Sequence, residues 1–162
     1  MRYIMKQKLF SIKDKFTIQD ETENTAYLIE GTLFTLGNRL SFQNKYGEEL
    51  LNIKQKVLSF ITTYEILKDE QVYAIVKKEP FTLFRSKFTI EVYNGDYIEV
   101  QGNFIDHEYQ FTKGQYTIGS VSKEFFSWSD TYGIDVAEGE DDELILACAV
   151  IIDMISHNGK RR

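Results

Sequence analysis

The 162-residue sequence predicts a β protein (α+β by strict count). The expected architecture is a closed barrel of about twelve mostly antiparallel strands, built from two sequence repeats and wrapped around a buried C-terminal helix. Three observations predict it. Leu144 to Ile152 is nine apolar residues in a row, with no polar face at helical spacing. Much of the chain before it alternates apolar and polar residues with a period of two, the mark of strands with one buried face. The first half of the chain also returns, segment by segment, in the second.

The helix is read over Asp141–Asn158, DDELILACAVIIDMISHN. A helix that is apolar all round must be buried all round. Its apolar part falls far short of the ~20 residues a bilayer crossing needs, so protein and not lipid must wrap it. Acids precede it, and His157, Asn158, Gly159 and Lys160 are stop signals at its other end.

The strands come next. Phe16 and Ile18 alternate with Thr17 and Gln19, and Phe88, Ile90 and Val92 alternate with Thr89 and Glu91. Ile98 and Val100 alternate with Glu99 and Gln101. Turn signals separate the runs at Gly37-Asn38, Tyr46-Gly47, Asp69-Glu70, Asn94-Gly95-Asp96 and Lys113-Gly114. Pro80 has no N–H to donate, which assigns it to a strand end or edge.

Four segments match in the same order. Lys15-Phe16-Thr17-Ile18 pairs with Lys87-Phe88-Thr89-Ile90, and Glu30-Gly31-Thr32-Leu33 with Gln101-Gly102-Asn103-Phe104. Leu40-Ser41-Phe42 pairs with Tyr109-Gln110-Phe111, and Val57-Leu58-Ser59-Phe60 through Tyr64-Glu65-Ile66 with Phe125-Phe126-Ser127-Trp128 through Tyr132-Gly133-Ile134. The reading is one domain with copies over 1–71 and 72–138 and the central helix over 141–158. About eight strands already fill a barrel with their own side chains, so twelve leave a lumen that a helix ~10–12 Å across can plug.

Composition narrows the function classes. The lone Cys148 lies inside the helix, which excludes an intramolecular disulfide and fits a reducing compartment. The opening MRYIMKQKLF lacks the apolar core of a signal peptide, and the expected location is cytoplasmic. A net charge of -6 argues against a nucleic-acid partner, although most of the excess lies in Glu138, Glu140, Asp141, Asp142 and Glu143. A basic face elsewhere on the barrel is compatible with it.

Three features together resemble a known family: the opening over Lys6–Ile18 (KQKLFSIKDKFTI), the segment Phe126–Val136 (FSWSDTYGIDV), and the acidic run into an apolar helix. They resemble the LURP-one-related proteins, in particular the bacterial YxjI-type members, within the tubby C-terminal-like group. The resemblance spans essentially the whole chain and implies a closed twelve-stranded barrel around a central C-terminal helix. The same group includes phospholipid scramblases. Their acidic segment is similar to Asp130-Thr131-Tyr132-Gly133-Ile134, Asp141-Asp142 and Ile152-Asp153 here. This helix turns polar after Ile155, and the cysteine-rich acylation segment of scramblases is missing, so lipid scrambling is not implied. No stretch matches the basic phosphoinositide pocket of tubby proteins.

The candidate sites follow from the residues. Asp130, Asp141 and Asp142, with the acidic run, offer oxygen ligands for Ca²⁺, but the D-x-D-x-D-G loop of an EF-hand is absent. The structural alternative is that acids at a helix start offset its dipole and cap free N–H groups. Lys13, Lys15, Arg85 and Lys87 occupy equivalent places in the two copies and are expected to form one patch for an anionic lipid headgroup. Asp153 is expected to point out of the barrel mouth or to accept strand-end amides, and His107 to be a solvent or loop histidine. Phe125–Trp128, like its counterpart Val57–Phe60, is expected to pack in the core or seam.

No nucleophile elbow, HExxH or Walker motif is present, so no catalytic residue is assigned. Two histidines and one buried cysteine argue against a zinc site, which leaves Ca²⁺ as the one cofactor expected. The reading that results is a non-enzymatic tubby-like barrel acting as a binding or scaffold module whose ligand, a protein partner or an anionic lipid headgroup, is left undetermined by the sequence. The alternative is a peripheral phospholipid- or phosphoinositide-binding protein at the inner membrane surface, modulated by Ca²⁺.

Overall fold

The computed structural model describes residues 1–9, 13–32, 37–82, 85–123 and 131–157. Its strands are β1 (Arg2–Leu9), β2 (Lys13–Gln19), β3 (Thr25–Thr32), β4 (Arg39–Asn44), β5 (Glu49–Gln55) and β6 (Thr63–Lys68). They continue as β7 (Gln71–Thr82), β8 (Arg85–Val92), β9 (Tyr97–Asn103), β10 (Glu108–Lys113), β11 (Tyr116–Ser122) and β12 (Thr131–Val136), before helix α1 (Asp142–His157). Each strand runs antiparallel to its neighbours in chain order. The ring closes where β1 pairs with β12, Tyr3 opposite Ile134, as well as with β2, Met5 opposite Ile18. Closure removes the unpaired strand edges that invite aggregation.

Alternation decides what faces inward. Phe16 and Ile18, Leu40 and Phe42, Leu51 and Ile53, and Ile98 and Val100 are all buried, each pair flanking a more exposed residue. They pack around α1, whose residues from Leu144 to Met154 are buried without exception. Pro80 is exposed within β7 and lies where the β7–β8 register shifts between Glu79 and Thr82, a place where its missing N–H costs no regular ladder bond. Cys148 sits on the buried helix, and burial raises its thiol pKa far above the ordinary value. Alkylation of Cys148 is therefore expected to proceed only as fast as the barrel opens. Iodoacetamide labelling followed by mass measurement should show protection in buffer and complete modification in denaturant.

The antiparallel path gives the barrel two unlike mouths. At the mouth holding the N-terminus of α1, strands are joined by tight turns at 20–24, 45–48, 69–70, 93–96 and 114–115. The β6–β7 link has only Asp69 and Glu70, both at positive φ (50° and 64°), as a two-residue hairpin with right-handed strand twist requires. The opposite mouth, where α1 ends, carries the turn at 104–107 and the longer connection at 56–62.

The segments matched in the sequence fall six strands apart. Phe16 and Ile18 lie on β2 and Phe88 and Ile90 on β8, while Leu40 and Phe42 lie on β4 and Phe111 on β10. Tyr64 and Ile66 on β6 correspond to Tyr132 and Ile134 on β12, and all four are buried. Six places around a ring of twelve is the opposite wall.

Candidate functional site

The two ends of α1 hold different chemistry. At its start, Asp141 is the N-cap: its Oδ1 accepts the Leu144 N–H at 3.0 Å, and its Oδ2 accepts the Tyr73 hydroxyl. Asp142 Oδ2 accepts the Tyr3 hydroxyl, so β1 and β7, on opposite walls, both hold the helix start. Burial, and then these carboxylate bonds, push the Tyr3 and Tyr73 phenols far above their usual range. Burial also raises the Glu143 carboxyl, against the lowering pull of Lys68. Lys113 Nζ bridges Glu140 at 2.6 Å and Asp96 at 3.2 Å.

Asp141 and Asp142, offered by the sequence as cation ligands, thus serve as a cap and as tyrosine acceptors, and Asp130 lies outside the described residues. Asp141→Ala is expected to cost about 1 kcal/mol through the lost cap, a fall of about 2–4 °C in Tm, with Asp141→Asn close to wild type. Thermal melts of the three proteins, with and without calcium, check both roles of the residue.

At the far end of α1 the structure corrects the sequence-based expectations for His107 and Asp153. His107 does lie in a loop, as expected, but it is buried and not in solvent, and Asp153 does not point out of the mouth. They are 5% and 2% exposed, with His107 Nε2 at 2.7 Å from Asp153 Oδ1. His157, one helical turn after Asp153, brings its Nε2 to 3.7 Å from the same oxygen. Its ring stacks on His107 at 4.6 Å with 14° between the planes. Tyr132 covers His107 at 4.3 Å and holds its own hydroxyl on Met5 Sδ at 2.9 Å.

Local folding explains why His107 turns inward. Residues 104–107 form the β9–β10 turn, with the His107 N–H on the Phe104 carbonyl and His107 at φ 55°. Phe104 anchors the turn edge-on against Phe88, ring centres 4.8 Å apart. A left-handed backbone is uncommon for a residue other than glycine, and here it aims the imidazole at the helix. The Tyr109 hydroxyl is fully buried beside the cluster; burial, then the Asp153 charge, drive its pKa well upward.

The matched place in the first half differs. Asn38, two residues before Leu40, donates from Nδ2 to the Tyr64 hydroxyl of β6 at 2.9 Å, a bond to the wall and not to the helix. In the second half His107, two residues before Tyr109, reaches past the wall to Asp153. Its neighbours in sequence, Asp106 and Glu108, are exposed. The legible signal was the lone acid near the end of an apolar helix, with a histidine one turn on.

The same mouth carries an exposed apolar loop. Leu58 and Phe60 are fully exposed and Val57 is more than half exposed, so this segment does not pack in the core or seam. Its counterpart Phe125–Trp128 lies outside the described residues.

The four basic residues do not form one patch. Lys13 and Lys15 lie on β2, whereas Arg85 and Lys87 lie on β8, across the barrel. Lys15 pairs with Glu30 at 3.2 Å and Lys87 with Glu99 at 3.0 Å.

Charge is nevertheless sorted along the axis. Among the described residues, the basic side chains toward the N-terminal mouth of α1 are Arg2, Lys45, Lys68 and Lys113, amid acids in nearly every turn. Lys6, Lys15, Arg39, Lys54, Lys56 and Lys123 lie toward the other mouth. No helix among the described residues is long and apolar enough to cross a membrane.

The comparisons with known proteins agree with this architecture. A protein of Bacillus subtilis (strain 168), uncharacterised protein YxjI, is 37% identical over 155 residues, covering 95% of this chain and 93% of the relative. An X-ray structure of an Arabidopsis thaliana protein superposes with a TM-score of 0.58 at 10% identity, covering 99% of this chain and 92% of that one, and shares the fold. The family model for LURP-one-related proteins matches residues 1–153, and the chain belongs to that family.

Proposed function

We propose that the protein is a non-catalytic binding barrel that docks onto an anionic membrane surface with the mouth where α1 ends. The observation that carries this reading is the loop at 56–62, which holds Leu58 and Phe60 fully in solvent at the more basic mouth. Large apolar side chains grouped at a loop tip cost free energy in water and gain it on insertion. Full burial of a leucine or phenylalanine is worth about 1.5–3 kcal/mol. Each basic residue near an anionic surface adds about 1 kcal/mol. Neither contribution anchors a protein alone; together they suit reversible attachment.

The filled lumen supports a surface role, because α1 leaves the interior to side chains from Leu144 to Met154. The non-catalytic reading is supported by the enclosure of His107 and Asp153, since a general base has to reach the proton of a bound substrate.

Vesicle sedimentation tests the proposal. Wild-type protein is expected to pellet with phosphatidylserine-containing vesicles at low salt, to be released at high salt, and to ignore neutral vesicles. The double variant Leu58→Ser/Phe60→Ser should lose more than about tenfold in partitioning, given the apolar area removed, with an unchanged Tm. Wild-type protein that stays in the supernatant at both salt concentrations would overturn the membrane reading and assign the loop to a protein partner.

A further inference from the structure

We propose that His107, Asp153 and His157 form a binding site for a divalent cation of the zinc class. Their candidate ligand atoms lie within 4.8 Å of one another, on side chains brought from the β9–β10 turn and the last turn of α1. Asp153 and His157 are spaced i, i+4 and so share one helix face, while His107 closes the set from the wall.

The donor set selects the metal. Two imidazoles and a carboxylate suit zinc and its transition-metal neighbours, whereas calcium and magnesium take oxygen ligands. Ligand atoms about 2.0–2.1 Å from a tetrahedral zinc are roughly 3.3–3.4 Å apart. The present 2.7 Å and 3.7 Å separations bracket that value. Metal entry also needs one of the two stacked imidazoles to turn, because an ion lies in the plane of each ring that binds it. His157, at the end of the helix, is the ring that turns, with no rebuilding of the 104–107 turn.

A hydrogen-bonded cluster alone leaves polar groups unused. Among the described residues, His107 Nδ1 and the Tyr109 hydroxyl are buried with no hydrogen-bond partner. The Tyr109 hydroxyl calls for a partner such as the water of a bound ion. His107 Nδ1, in contrast, is the atom that carries the proton when Nε2 is the ligand and is not explained by the ion. Zinc with three protein ligands keeps a fourth position for water, a partner of the right chemistry for the Tyr109 hydroxyl. The His107 backbone at φ 55° holds the imidazole where the set needs it. His157, its side chain 17% exposed, gives access from the mouth.

Zinc and cobalt(II) titrations of the full chain, freed of metal by chelator and carrying no histidine tag, test the site. One equivalent of zinc is expected to bind in competition with a chromogenic chelator and to raise Tm by several degrees. Cobalt(II) should give the visible absorption of a four-coordinate ion with nitrogen ligands. His157→Gln, at the accessible edge, is expected to weaken zinc at least tenfold while the metal-free Tm changes little, and His107→Asn should do the same if it folds. Substoichiometric binding by wild type, or affinity unchanged in His157→Gln, would overturn the proposal.

Discussion

Ala149→Asp is expected to abolish the folded state. Ala149 lies in the middle of α1, fully buried on the barrel axis. A carboxylate placed there loses its water and gains no cationic partner, because the surrounding wall residues are apolar. The penalty for such a group is at least several kcal/mol whether it stays charged or takes up a proton, against a total stability of about 5–15 kcal/mol. Neighbouring side chains cannot relieve it, since any route to solvent runs along the packed lumen. Ala149→Ser separates charge from size. Its hydroxyl can bond back to the helix carbonyl one turn earlier, and about 1 kcal/mol is expected. Leu58→Asp adds the same charge to a fully exposed loop and should leave Tm within a degree or two. Soluble yield and circular dichroism melts of the three variants decide the matter. A wild-type melt for Ala149→Asp would mean that position 149 reaches water and that the helix is not enclosed.

The parts legible in the sequence were those governed by local pattern. An uninterrupted apolar run announced a helix enclosed on all sides, and alternation through pairs such as Phe16 and Ile18 announced inward strand faces. What failed were inferences about partners. His107 and Asp153 are 46 positions apart, and only closure of the ring around α1 brings them to 2.7 Å. The basic patch failed for a geometric reason already implicit in the repeat. If two copies supply six strands each to one ring, equivalent residues such as Lys15 and Lys87 must lie on opposite walls. We take the six-strand spacing of all four matched segments as support for a duplicated unit. Leu58 and Phe60 failed because apolar composition was equated with burial, whereas a folded surface always retains apolar atoms and a cluster at a loop tip marks an interaction site.

Gly102→Ala is the second substitution with a large expected effect, and its matched position shows why. Gly102 has φ +144°, outside the range that side-chain-bearing residues readily adopt. A Cβ there would sit 2.4 Å from the Glu108 carbonyl oxygen and 2.6 Å from Tyr109 Cα, both backbone atoms of the paired strand β10. Relief requires the β9–β10 ladder to part. At Gly31 the Cβ would meet Leu40 Cδ2 at 2.3 Å and the Arg39 carbonyl oxygen at 2.9 Å, so much of that clash falls on a side chain that can rotate. Overpacking costs about 1–3 kcal/mol, and a forced backbone conformation adds about 1–3 kcal/mol at Gly102 alone. At about 2–4 °C per kcal/mol for a chain of this size, Gly102→Ala should lower Tm by roughly 10 °C and Gly31→Ala by about half as much. The loss at Gly102 also has a local address. Separating β9 from β10 carries away the turn at 104–107, and with it the imidazole that meets Asp153. Gly102→Ala is therefore expected to weaken zinc binding even in the fraction that remains folded, while Gly31→Ala, acting on the opposite wall, leaves it intact. Equal loss of zinc affinity in the two variants would mean that metal binding reports global stability and not the placement of His107.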